Sequence, residues 1–169
     1  MNAKRNRRAN TKGKSSMRLN RTHIISILPL ALLVSANLTP QRLHAQQTST
    51  LTIQVTGLKN ANGQVCIRLW NKKDGFPTDD RKALRAIEVP IINGSASAVF
   101  TAIPFGTYAV STWHDENKNG KFDTRFPGIP LEGYGISNGT RGKLGPPPFD
   151  PSVFPVNNIA TTVPVAIRY

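Results

Sequence analysis

Leu51-Thr52-Ile53-Gln54-Val55-Thr56 repeats every two residues, with Leu51, Ile53 and Val55 on one side and Gln54 and the threonines on the other. Successive side chains of an extended chain point to opposite faces, so this period marks a strand with one face in a core and the other in water. Val65-Cys66-Ile67-Arg68-Leu69-Trp70 has the same rhythm and turns Val65, Ile67 and Leu69 inward. Residues 57–63, with Asn60, Asn62 and Gly63, read as the turn of a hairpin that joins the two runs. Residues 71–82 are polar and contain Asp74-Gly75 and Phe76-Pro77, which predicts a loop.

A third strand is expected over 83–92, where Leu84, Ile87, Val89 and Ile91 are spaced irregularly enough for a bulge. Asn93-Gly94, a strong two-residue hairpin signal, would join it to a fourth strand over 95–102. A corner at Ile103-Pro104-Phe105-Gly106 leads to a fifth over 107–113. The last strand, 160–167, alternates Val163, Val165 and Ile167 with Pro164 and Ala166. Pro164 has no ladder donor, so this strand is expected at a sheet edge or paired on one side there. Short strands separated by turns, with no sustained helical period, predict an all-β protein: a single Ig-like β sandwich of about seven strands. An outer-membrane barrel would need strands of about 9–11 residues with apolar outer faces.

The rhythm stops in a long loop, 114–158. Its Pro127, Pro130, Pro146, Pro147, Pro148, Pro151 and Pro155 leave little room for regular structure. Its Phe126, Ile129, Leu131, Tyr134, Ile136, Leu144, Phe149, Val153 and Phe154 are too apolar for a disordered tail, so the loop is expected to pack on the sandwich.

That loop opens with the chemistry. In the stretch from Asp115 to Asp123, oxygen-bearing Asp115, Asn117, Asn119 and Asp123 stand at positions 1, 3, 5 and 9, with Gly120 at 6. Ca²⁺ takes six to eight hard oxygens at about 2.3–2.6 Å, and alternate residues of a loop curled by glycine can aim them at one point. Lys121 would lend its backbone carbonyl. Position 12 is Phe126 rather than the glutamate of an EF-hand. Glu132 or later carbonyls would therefore close the shell, and two carboxylates predict weak binding, on the order of 0.1–1 mM. An Asn119-Gly120 turn with solvated charges explains the same residues without a metal.

The alternative is a hydrolase that uses His114, Asp115, Asp123 or Glu132 as acid and base, but no nucleophile motif such as G-x-S-x-G accompanies them. Cys66 is the single cysteine and excludes an internal disulfide; it reads as a small buried side chain. Asn93-Gly94-Ser95 and Asn138-Gly139-Thr140 fit a glycosylation acceptor and fit turns equally well.

The net charge of +13 is concentrated at the start of the chain. Residues 1–45 hold nine Lys and Arg and no acid, leaving thirteen basic and nine acidic side chains in 46–169, a net +4. That removes the case for a nucleic-acid partner. A basic start, an apolar run over 24–34 and small residues after it have the form of a signal peptide, and the run is short of the ~20 residues that span a bilayer. Cleavage is expected after Ala45, with Ala36 the second site. The chain then divides into a signal peptide, 1–45, and a sandwich domain, 46–169, exported to the periplasm or beyond the cell, with no membrane contact once the leader is gone.

The string Ile103-Pro104-Phe105-Gly106-Thr107-Tyr108, Trp113-His114-Asp115-Glu116-Asn117, Asn119-Gly120-Lys121-Phe122-Asp123, Gly128-Ile129-Pro130, Glu132-Gly133-Tyr134-Gly135 and Pro147-Pro148-Phe149 resembles an exported bacterial family, domain-of-unknown-function family 2141 (DUF2141). The likeness runs from about residue 51 to 169; Trp113 and Ile136 depart mildly from it. The Pro-x-Gly-x-Tyr corner is also similar to that of prealbumin-like and carboxypeptidase-regulatory-like sandwiches, which serve as accessory or adhesion modules. The family resemblance implies an exported bacterial protein without established activity, and the expectation here is an accessory or binding module for an unidentified protein, peptide or glycan ligand.

Overall fold

The computed structural model describes residues 46–169; the expected leader and its cleavage sites lie outside them. Ten strands follow in order: β1 (Thr48–Thr56), β2 (Gln64–Trp70), β3 (Arg85–Val89), β4 (Ala96–Pro104), β5 (Gly106–Asp115), β6 (Thr124–Arg125), β7 (Ile129–Pro130), β8 (Tyr134–Ile136), β9 (Phe154–Val156) and β10 (Ala160–Ala166). Three 3-10 turns are the only helical pieces among the described residues, and no helix is long and apolar enough to cross a membrane.

One sheet of the sandwich has the order β10-β1-β4 and the other β3-β2-β5-β8, with β9 also paired to β5, while β6 and β7 pair with each other as a separate antiparallel hairpin. Leu51, Ile53 and Val55 from β1 and Phe100 from β4 meet Val65, Ile67 and Leu69 from β2 and Val110 from β5 in one core. The alternation assigned the inward side chains of β1, β2 and β10 as they are found. β10 is an edge strand bonded to β1 alone, as Pro164 requires, and the pairing is parallel.

Several connections differ from those expected. β1 and β2 do not form a hairpin: β1 pairs with β4 and β10, β2 with β3 and β5. Both bury alternate residues in the same core, and facing strands of opposite sheets satisfy that rhythm as well as neighbours do. Asn93-Gly94 does turn with positive φ (50° and 72°) and is closed by an Ile92–Ser95 bridge. The strands on either side nevertheless enter different sheets: Pro90 ends β3 at Val89, and the chain crosses over before β4 begins. β3 is five residues in regular register with β2, and the irregularity sits instead in β1, between Ser49 and Leu51 opposite β4. β1 also begins three residues earlier than its apolar pattern, at Thr48.

The Pro104–Tyr108 corner is held by the Tyr108 hydroxyl, which donates to the Pro104 carbonyl at 2.7 Å. This tyrosine corner sends β5 into the second sheet. The long loop is more structured than its prolines suggest, contributing β6 to β9. Phe154 and Ile136 are buried in it, in line with the expected packing on the sandwich, whereas Phe126 (96% exposed) and Leu144 (105%) stand in solvent.

Candidate functional site

The second sheet is covered on both faces. The outward residues of β2 are Cys66, Arg68 and Trp70, and those of β5 are Ser111, Trp113 and Asp115; all are buried. Such a face needs a lid, and residues 71–84 and 116–152 supply it. At one end Trp70 meets Phe76 edge-on at 5.5 Å, and Phe76 meets Phe149 at 5.3 Å. The Trp70 indole donates to Ser111 Oγ at 2.9 Å. At the other end Phe122 lies between Trp113 (6.2 Å) and Tyr134 (5.8 Å).

A cleft of about 760 Å³ remains between these lids. Trp113, Tyr134 and Ile136 line it from the sheet, Thr78 and Asp80 from the first loop, Phe122 from the second. Arg68 lies under it. Its guanidinium sits 4.7 Å from the Trp113 ring centre and pairs with Asp80 (3.3 Å) and Glu88 (2.9 Å). Burial pushes the Asp80 carboxyl up more than Arg68 pulls it down. The Trp113 Nε1 is buried and has no hydrogen-bond partner among the described residues. An aromatic floor of Trp113, Phe122 and Tyr134, rimmed by Asp79, Asp80, Arg81 and Lys121, suits an organic ligand that carries polar groups.

The 115–123 loop forms one wall. Burial alone would raise the Asp115 carboxyl, but hydrogen bonds from Gln64 and from the backbone of Gly120, Asn119 and Lys118 outweigh it and hold the group below the usual carboxylate range. The distances are 2.9 Å from Gln64 Nε2, 3.0 Å from Asn119 N and 2.9 Å from Gly120 N. Asn117 Oδ1 accepts from Asn119 N, and Asn119 Oδ1 from Lys121 N. The Nδ2 groups of Asn117 and Asn119 donate to Asp123 at 2.8 and 3.0 Å. Glu132 is buried behind the loop and accepts from the backbone of Glu116 (3.3 Å) and Asp123 (3.0 Å), clamping its two ends. Desolvation raises the Glu132 carboxyl. The structure thus places Asp115, Asn117, Asn119, Lys121 and Asp123 in one hydrogen-bonded loop, with Glu132 behind it on the backbone of Glu116 and Asp123. Among the described residues no three His, Cys, Asp or Glu side chains gather as a metal-holding group.

His114 faces away from the cleft, fully buried. Its Nε2 is 2.7 Å from the Asn62 carbonyl, which can only accept, so Nε2 carries a proton, and Nδ1 is hydrogen-bonded to the Tyr169 hydroxyl. Tyr169 accepts in turn from Lys59 N. Gly63 is required beside this knot: at φ 72° a Cβ would lie 1.9 Å from the Asp115 carbonyl oxygen. Of the groups named for a hydrolase, His114, Asp115 and Glu132 are buried and hydrogen-bonded to the fold. The Cys66 thiol is pushed up to about 12 by burial, which makes it inert.

The reading of the sequence missed Arg68, Trp70, Phe76 and Thr78. The available signal was the outward face of β2, where an arginine lies between a cysteine and a tryptophan; such a face is unsuited to water.

A family model described as "Uncharacterized protein conserved in bacteria (DUF2141)" matches residues 53–164. No curated protein and no solved structure matches the chain.

Proposed function

The chain belongs to the bacterial family DUF2141, and from that premise we propose that it is an exported binding module whose outer-face cleft receives an apolar or aromatic group of a protein, peptide or glycan ligand. The observation that carries this is the cleft of about 760 Å³ over β5, with Trp113, Phe122 and Tyr134 at its surface. Binding pockets commonly span about 300–1,000 Å³. Export is supported by the basic and apolar pattern of residues 1–45. The tyrosine corner at Tyr108 supports a prealbumin-like sandwich of the accessory kind.

A panel of hydrophobic peptides, oligosaccharides and aryl compounds tests this by thermal shift. A ligand at a hundred times its Kd stabilises the fold by about 2.7 kcal/mol. The Thr78→Trp substitution, at an exposed position on the cleft, should block that gain while leaving the unliganded Tm unchanged. Equal shifts in both proteins would place binding elsewhere and defeat the reading.

A second role, calcium binding by the same wall, is favoured by the curl of the loop. Asp115 at position 1 takes the N–H groups of positions 5 and 6, and Gly120 turns with φ 73°. A cation would take the Asn117 and Asn119 amide oxygens and the Asp123 carboxylate in place of the hydrogen bonds now among them. Millimolar Ca²⁺ should raise Tm in the parent and not in Asp123→Ala. No shift in the parent would leave only the hydrogen-bonded turn.

A further inference from the structure

The rim beyond the cleft does not look like an ordinary soluble loop. Phe126 is 96% exposed at the tip of the β6–β7 hairpin, Ile129 and Leu131 on its return are 46% and 56% exposed, and Leu144 on the neighbouring loop is fully exposed. The two loops flank one ring: Phe122, which leads into the hairpin, packs edge-on against Tyr134, and the Arg141 guanidinium lies 5.3 Å over it.

Every exposed charge between residues 117 and 145 is positive. Lys118, Lys121, Arg125, Arg141 and Lys143 are all exposed, and none is paired with a carboxylate among the described residues. Neither acid of that stretch is fully exposed. Glu132 is buried on backbone N–H groups, and Asp123 is half-buried and held by the Asn117 and Asn119 amides.

We propose that this rim, the β6–β7 hairpin with the 141–145 loop, docks on an anionic lipid surface, with Phe126 and Leu144 entering the headgroup layer. The charge complementarity is of the kind that draws basic segments to anionic bilayers. Aromatic and aliphatic tips among those charges fit shallow insertion, which a nucleic acid or other soluble polyanion does not offer. The sequence reading expected no membrane contact once the leader is gone; exposure at the loop tips is what argues for one. The surface holds whether or not the cleft takes a ligand, and it places the cleft mouth beside the bilayer.

The test uses the full chain with Phe126→Trp and follows emission of the new indole over the Trp70 and Trp113 background. Vesicles containing phosphatidylglycerol should shift that emission to the blue, brominated acyl chains should quench it, and phosphatidylcholine alone should do neither. Charge reversal at Arg125 and Lys143 (Arg125→Glu with Lys143→Glu) should weaken the vesicle affinity read from the quenching by at least about thirtyfold. Undiminished quenching after reversal would mean that residues 1–45 deliver the contact and would overturn the proposal. So would an emission shift produced by soluble polyphosphate without lipid quenching, or no response at all.

Discussion

The two sheets share a core but differ on their outer faces. Along β1 the burial alternates cleanly, and outward Gln54, with Ser97 of β4 and Thr162 of β10, meets water. Along β2 and β5 nearly every residue is buried on both sides. A strand with one wet face is finished once it joins the sandwich, whereas a strand with two dry faces needs a third layer. In this molecule that layer is irregular backbone, and it leaves a cleft where it fails to close. The site is therefore located by excess burial.

This contrast predicts a steep difference between equivalent outward positions. The largest effect is expected for Trp70→Ala, about 3–5 kcal/mol by urea unfolding, since the indole bears both the aromatic lid and the Ser111 hydrogen bond. Asp115→Ala should cost about 3 kcal/mol, because it strands the Gln64, Asn119 and Gly120 donors together. Arg68→Ala should cost about 2 kcal/mol. Its partners Asp80 and Glu88 are 39% and 43% exposed and regain water when the pair is broken. The smallest effect belongs to the wet face: Val99→Thr, at a side chain 53% exposed on β4, should stay within about 0.5 kcal/mol. A loss at Val99 comparable with that at Trp70 would erase the distinction between the sheets.

Acid sharpens the contrast within the wall. The Asp115 carboxyl is held below its ordinary 3.8, so its stabilisation is complete above that value and is lost as pH falls through the lower folded pKa. Glu132 runs oppositely: raised above 4.5, its protonated form is the one folding favours, and that contribution fades as pH rises through the folded pKa. Asp115→Asn should therefore flatten the acid limb of Tm below about pH 4, and Glu132→Gln the segment just above pH 4.5.

What the sequence made legible follows from what a two-residue period encodes. It assigns faces, so Leu51, Ile53, Val55, Val65, Ile67 and Leu69 were readable as core. It does not assign neighbours, so β1 and β2 were read as a hairpin although they lie in opposite sheets. The Asn93-Gly94 signal reported its turn geometry faithfully, but the destination of β4 was set by distant pairing with β1. The 115–123 loop was legible as a unit because its hydrogen bonds span few residues. The cleft was not, because Thr78, Trp113 and Tyr134 meet only through the folded sheet.

Chemical-shift mapping with an isotopically labelled chain tests the central claim most directly, using the tightest ligand from the thermal-shift panel. The account predicts perturbations at Trp113, Phe122, Tyr134 and Thr78, and little change along β1, β4 and β10. Perturbations centred on the β10-β1-β4 face, or spread evenly over both sheets, would contradict it.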